Sequence, residues 1–251
     1  MRTLFLILFS SLSFAQGIWT NDISEKNLTF LYNEGFRKIH FNLGHFYNEE
    51  KQIIEFDTLH NRYLFAVKLG YKQFLIGADW GLFEEISSWK TVIELFNNKE
   101  DVVFYSGEPY LGLAKCCSMN DSEIDSLIRL RNSYSDKYYF DEVFRNYEKL
   151  TNVVDSSKCA FSEYPFQEQY WHSKVPFIWI YGNSNWHTWL NFLTKTIDYE
   201  YLKEKADELE IKDFWLYQGD TDNFFRDVEK FFGIDSQTER RKEFIKTFGE
   251  K

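Results

Sequence analysis

Two periods of apolar and polar positions alternate along this chain. Short apolar runs recur at 17–20, 36–43, 72–78, 101–106, 137–140, 158–161, 175–181 and 213–217. Runs this short, bounded by Gly, Asn, Asp or Pro, predict buried strands. Between them apolar residues fall three or four apart, which predicts helices. These cover 24–35 (Leu28, Leu31, Tyr32), 48–69, 84–97 (Ile86, Trp89, Ile93, Phe96), 145–154, 186–196, 199–210 (Leu202, Ala206, Leu209) and 222–231. Another opens at Asn120 with the stripe Ile124, Leu127 and Ile128, and a last at Ser236 with Phe244, Ile245 and Phe248. Ser24 and Asp222 are predicted N-caps, and Asn120 with Glu123 and Ser236 with Glu239 read as capping boxes. Gly35, Gly70 and Gly233 read as helix stops. The stretch after Pro109 reads as a longer connection carrying two adjacent cysteines, and 164–174 as a link with at most one helical turn.

Eight strands separated by helices predict parallel pairing through crossover connections. Eight such units in this length match a single (β/α)8 TIM barrel over residues 16–251. A doubly wound open sheet would favour a Gly-rich phosphate turn after its first strand. No such turn and no G-x-G-x-x-G or G-x-x-x-x-G-K-[ST] pattern occurs. No repeat or linker divides the chain.

The first residues alter this picture only at the terminus. Met1-Arg2-Thr3 is a short positive segment, 4–9 is apolar, and Ser13-Phe14-Ala15 is a small-x-small cleavage pattern. Residues 1–15 therefore predict a signal peptide, and the protein is expected to be exported, periplasmic or secreted. The apolar run is too short to span a bilayer. A formal net charge of -10 argues against nucleic acid as the main partner. In an oxidising compartment one pair among Cys116, Cys117 and Cys159 can bridge. Cys116 or Cys117 would reach Cys159 if neighbouring loops meet; otherwise all three are thiols. No cofactor motif is present, so none is expected.

In a barrel of this kind the site lies at the C-terminal rim of the strands. The residues just past the predicted strands are Trp19 and Asn21, Asn42, Asp79 and Trp80, Glu108, Asp141 and Glu142, Glu163, Asn183, and Asp220. Five of these eight ends bring a carboxylate. Loop acids often only cap the next helix. Glu108 is a poor capping residue, however, and sits between Gly107 and Pro109. Carboxylate pairs suit glycosidic cleavage, one protonating the leaving oxygen while the other attacks or activates water. Glu108 is thus the candidate general acid, with Asp141 or Glu163 as second carboxylate. Trp19, Trp80, Tyr181 and Trp215 are candidate stacking faces for sugar rings, although for Trp215, as for Trp89 and Trp179, core packing is the better reading. Asn42, Asn183, Asp79 and Asp220 are candidate hydroxyl contacts. Among the five histidines no H-x-H or H-E-x-x-H pattern occurs. Asp79, Glu108, Asp141 and His187 remain an alternative metal-dependent set, for a hydrolase or isomerase.

A signal-like start, a Gly-Ile-Trp opening strand, the fourth-strand ending Gly107-Glu108-Pro109 and Trp-rich later strands resemble exported TIM-barrel glycoside hydrolases. In the large clan of retaining barrels the acid/base Glu follows strand four, often as Asn-Glu-Pro. That resemblance assigns the role to Glu108, with Gly107 in place of the Asn. The clan's nucleophile Glu follows strand seven, where this sequence has Gly182-Asn183. The chitinase-like pattern is also incomplete, because Ser106 stands where an Asp is expected. The resemblance implies a carbohydrate substrate. A barrel that binds a glycan or a partner without cleaving it is the alternative.

Overall fold

The computed structural model describes residues 16–20, 22–48, 50–51, 53–78, 86–142, 144–161, 178–181, 199–211, 213–218 and 236–249. Eight strands make one curled parallel sheet: β1 (Gly17–Thr20), β2 (Lys38–Asn42), β5 (Gln73–Ala78), β6 (Val102–Gly107), β7 (Tyr138–Glu142), β8 (Cys159–Phe161), β9 (Ile178–Tyr181) and β10 (Phe214–Gln218). The order β1-β10-β9-β8-β7-β6-β5-β2 returns on itself, since β1 pairs with both β10 and β2. The thinnest junction is β8 with β9, through Phe161↔Ile178.

The period of two along each strand explains where the side chains go. Ile39 and Phe41, Phe74 and Ile76, Val102 and Phe104, Tyr138 and Phe140, and Phe214 and Leu216 share one buried cluster with residues of the covering helices. Those helices are α1 (Glu25–Glu34), α2 (Phe56–Leu69), α3 (Ile86–Phe96), α4 (Pro109–Cys116), α5 (Asp121–Asn132) and α6 (Phe144–Thr151), with Tyr199–Glu208 and Ser236–Phe248 after them. The alternate positions Trp19, Leu75, Tyr105 and Trp215 form a second cluster with Ala160, inside the curl of the sheet. Gly35 and Gly70 stop α1 and α2 in the left-handed region, at φ 115 and 108, as their positions in the sequence predict. The capping box of Asn120 and Glu123 is formed.

Two predicted connections are built differently. The expected helix over 48–69 begins only at Phe56. Before it lie a 3-10 turn, Leu43–Phe46, and an antiparallel hairpin of β3 (Tyr47–Asn48) and β4 (Ile53–Ile54). Asn48 is the reason. Its Oδ1 accepts from the Lys51 N–H at 3.1 Å and its Nδ2 donates to Glu55 at 3.0 Å, a side-chain turn that competes with helix. The second case is the connection after Pro109, which is α4. Proline at the first helical position suits its fixed φ and missing N–H.

No bond joins Cys159 to the cysteine pair. Cys159 is a buried free thiol on β8, whereas Cys117 is disulfide-bonded. The Cys159 thiol donates to the Asp155 carbonyl, and burial, with Asp155 adding, pushes its pKa up to about 12.

Candidate active site

The register of β6 and β7 builds the site. Gly107 pairs with Asp141, so the residue just past β6, Glu108, stands over the end of β7. The Glu108 N–H donates to the Asp141 backbone carbonyl and to Asp141 Oδ1, both at 3.0 Å. Glu108 itself lies in the left-handed region, φ 47 and ψ 50. For a residue with a Cβ this conformation costs roughly 1–2 kcal/mol. The contacts just named, with Pro109 starting α4 behind it, hold it there. Glu108 occupies the N-cap position without a side-chain capping bond, so its half-buried carboxyl is not spent on the helix. That duty falls to Glu142, whose Oε2 accepts the Tyr110 N–H at 2.8 Å. The Tyr110 hydroxyl then donates to Asp125, tying α4 to α5.

Asp141 is 1% exposed. Each of its carboxyl oxygens has a donor: the Glu108 N–H on Oδ1, and the Tyr105 hydroxyl on Oδ2 at 2.7 Å. Burial raises its pKa well above the ordinary 3.8, and the Glu108 and Glu142 carboxylates add to that rise. The two hydrogen bonds oppose it. The folded chain therefore binds this proton more tightly than the unfolded chain. The stability it contributes is fully present below about 3.8 and is lost as pH rises through the raised value. Asp141→Asn keeps the shape, because the Tyr105 hydroxyl can turn to accept from the amide. Urea denaturation at a series of pH values is expected to show the variant gaining on the parent from acid toward neutral pH. Parallel curves would contradict this charge-driven loss.

The other predicted rim residues divide into four groups. Trp19 and Trp215 are not rim platforms: they point into the sheet interior at 4% and 1% exposure. Trp19 stacks on His40 with ring centroids 5.9 Å apart. Strand period explains this, because the Trp-rich positions fall on the inner face below the rim. Asn42 is half-buried and turns back on the chain, accepting the Gly44 N–H at 2.9 Å to start the 3-10 turn. Asn21, Asp79, Trp80, Glu163, Asn183, His187 and Asp220 lie outside the described residues. Tyr181 ends β9, paired with Tyr217.

Sequence reasoning passed over Tyr105 as ordinary core. The signal was present in the period of two, which puts Tyr105 and Gly107 on the same face of β6. His40 lies within the predicted strand 36–43. It is fully buried, edge-on to Tyr105 at 5.5 Å, and burial, with His45 adding, lowers its pKa well below 6.5. It is therefore a neutral packing ring. At the opposite end of the sheet Lys38 and Asp213 pair at 2.8 Å, a structural contact far from the rim. Among the described residues no group of three or more His, Cys, Asp or Glu is arranged to hold a metal ion. None of the described helices is long and apolar enough to cross a membrane.

Neither a protein-family model nor a curated protein sequence matches the chain. Solved structures do. One is a GH5 family lichenase from Caldicellulosiruptor sp. F32, with TM-score 0.51 and 12% identity over 78% of this chain and 75% of that one. The two chains share a similar fold. A second similar structure is the cellulase Cel5C_n, with TM-score 0.44 and 12% identity over 90% of this chain and 73% of that one. At such identity the likeness concerns the path of the chain.

Proposed function

We propose that this protein is an exported glycan-cleaving enzyme, a complete (β/α)8 barrel over 16–251 behind a signal peptide at 1–15, in which Glu108 is the general acid. The observation that carries the reading is Glu108 itself. It is a half-buried carboxyl at the end of the fourth sheet strand, held in a left-handed backbone and relieved of capping by Glu142. A protonated carboxyl there can donate to the oxygen of a breaking glycosidic bond. Asp141, with both oxygens engaged, braces Glu108. Glu163, two residues past β8 in sequence, is the proposed second carboxylate that attacks or activates water. Asp79, Trp80, Tyr181, Asn183 and Asp220 are the proposed sugar contacts. No cofactor takes part.

The substrate proposed is a polysaccharide, and soluble β-glucans such as lichenan come first because one similar solved structure is that of a lichenase. The purified chain is expected to release new reducing ends from such a glucan, in the presence or absence of EDTA. Loss of release in EDTA would instead favour the metal-dependent reading. Two observations favour a second, non-catalytic reading: Asp141 is closed off from solvent, and Gly182-Asn183 follows β9 where a nucleophile Glu is expected. Glucan binding without release, unchanged by Glu108→Gln, would establish that reading.

A further inference from the structure

We propose that Tyr105 is a positioning residue of the Glu108 site, its hydroxyl orienting Asp141 beneath Glu108 so that the two carboxyls act as a coupled pair. The inference rests on the reading of Glu108 as the acid, but its physical content can be tested without any substrate.

The geometry is a continuous line of contacts. Tyr105 sits on the inner face of β6 and reaches across to β7, donating to Asp141 Oδ2 at 2.7 Å. The other oxygen of the same carboxyl receives the Glu108 N–H at 3.0 Å. Rotation of the Asp141 side chain would break both bonds, so each bond fixes the other. Tyr105 is itself held. Its ring stands edge-on to His40, 87° between planes, and His40 stacks on Trp19. On its other side is Gly77 of β5, whose missing Cβ makes room for the Tyr105 ring. The buried aromatic rings of the sheet interior therefore buttress the rim acid from below.

The phenol also suits a carboxyl that changes its protonation state. Its hydroxyl donates to Asp141 when that group is a carboxylate and can accept from it when it is a carboxylic acid. The contact survives either state. The titratable groups facing Asp141 are Glu108 at the rim, Glu142 on its own strand and Tyr105 on β6. The β8 neighbour at its level is Ala160, which does not titrate. Glu108 opposes ionisation of Asp141 through like charge, while Tyr105 favours it through a hydrogen bond.

The test is a carboxyl 13C NMR titration of the intact chain, labelled at Asp and Glu, for the parent, Tyr105→Phe and Glu108→Gln. Tyr105→Phe removes a donor to the charged form, so the Asp141 midpoint moves up. Glu108→Gln removes a like charge, so the same midpoint moves down. Opposite movements establish the coupled arrangement. A Tyr105→Phe midpoint equal to the parent's, or a Glu108→Gln midpoint that stays put, overturns it. Should Tyr105→Phe not fold, the Cζ signal of Tyr105 in the 13C-tyrosine-labelled parent decides: it is expected to titrate with the Asp141 midpoint, and a signal that does not move there overturns the contact. On a cleaved glucan, Tyr105→Phe is expected to lower kcat about 10- to 100-fold with KM unchanged, the scale of a misplaced catalytic group. If Glu108→Gln leaves the rate intact while the midpoints still move, the acid assignment fails and the positioning contact stands.

Discussion

Glu108→Gln is expected to lower turnover of a polysaccharide about 100- to 10,000-fold, the usual contribution of a positioned general acid. The melting temperature should stay close to the parent's. Gln has the same size and the same backbone requirements, so the left-handed φ, the start of α4 at Pro109 and the N–H bond to Asp141 all persist. What disappears is the proton available to a leaving oxygen. Loss of a charge beside Asp141 also relieves like-charge repulsion, so no drop in stability is expected from electrostatics. Turnover and thermal melting measured on the same preparation check both halves. Parental turnover in the variant would remove Glu108 from the chemistry.

Gly77→Ala is expected to have the largest effect on stability. A Cβ at this position would lie 2.5 Å from Tyr105 Cδ1 and 2.6 Å from the Tyr105 carbonyl oxygen. Side chains overlapping a neighbour can often rotate away, but here one obstacle is the backbone of the paired strand. The other is a ring already held by His40 and Asp141. Overpacking of a core costs roughly 1–3 kcal/mol and occasionally more. With a backbone atom in the way, about 3 kcal/mol or more is expected, read as a lower urea midpoint or as failure to accumulate folded protein. The strain also falls on Tyr105, so any folded fraction should cleave more slowly. An unchanged midpoint would mean that β5 and β6 can separate without cost, contrary to the register described above.

Much of the frame was legible because it depends on local rules. Strand positions followed from short apolar runs, helix ends from Gly35, Gly70 and the Asn120–Glu123 box, and the parallel order from the alternation of elements. Glu108 could be singled out because a poor capping residue before proline has few structural excuses, and the structure indeed leaves capping to Glu142. Less legible was anything decided by which face of a strand a residue occupies. Trp19 read as a rim platform because it lies near a strand end in sequence, yet its parity sends it into the interior; for Trp215 core packing was already the better reading. Tyr105 was hidden for the same reason, since its role exists only once Gly107 is registered against Asp141. The hairpin at 47–54 was missed because Asn48 side-chain bonds outcompete a helical apolar pattern.

The most direct test of the central claim compares kcat/KM for aryl glycosides of increasing leaving-group basicity, in the parent and in Glu108→Gln. A general acid matters most when the leaving oxygen is basic and least when it departs unaided. If Glu108 protonates the leaving group, the parent will depend weakly on basicity. The variant will be nearly as fast on nitrophenyl glycosides and far slower on phenyl ones. Two parallel dependences, displaced or not, would contradict the assignment of Glu108 as the acid.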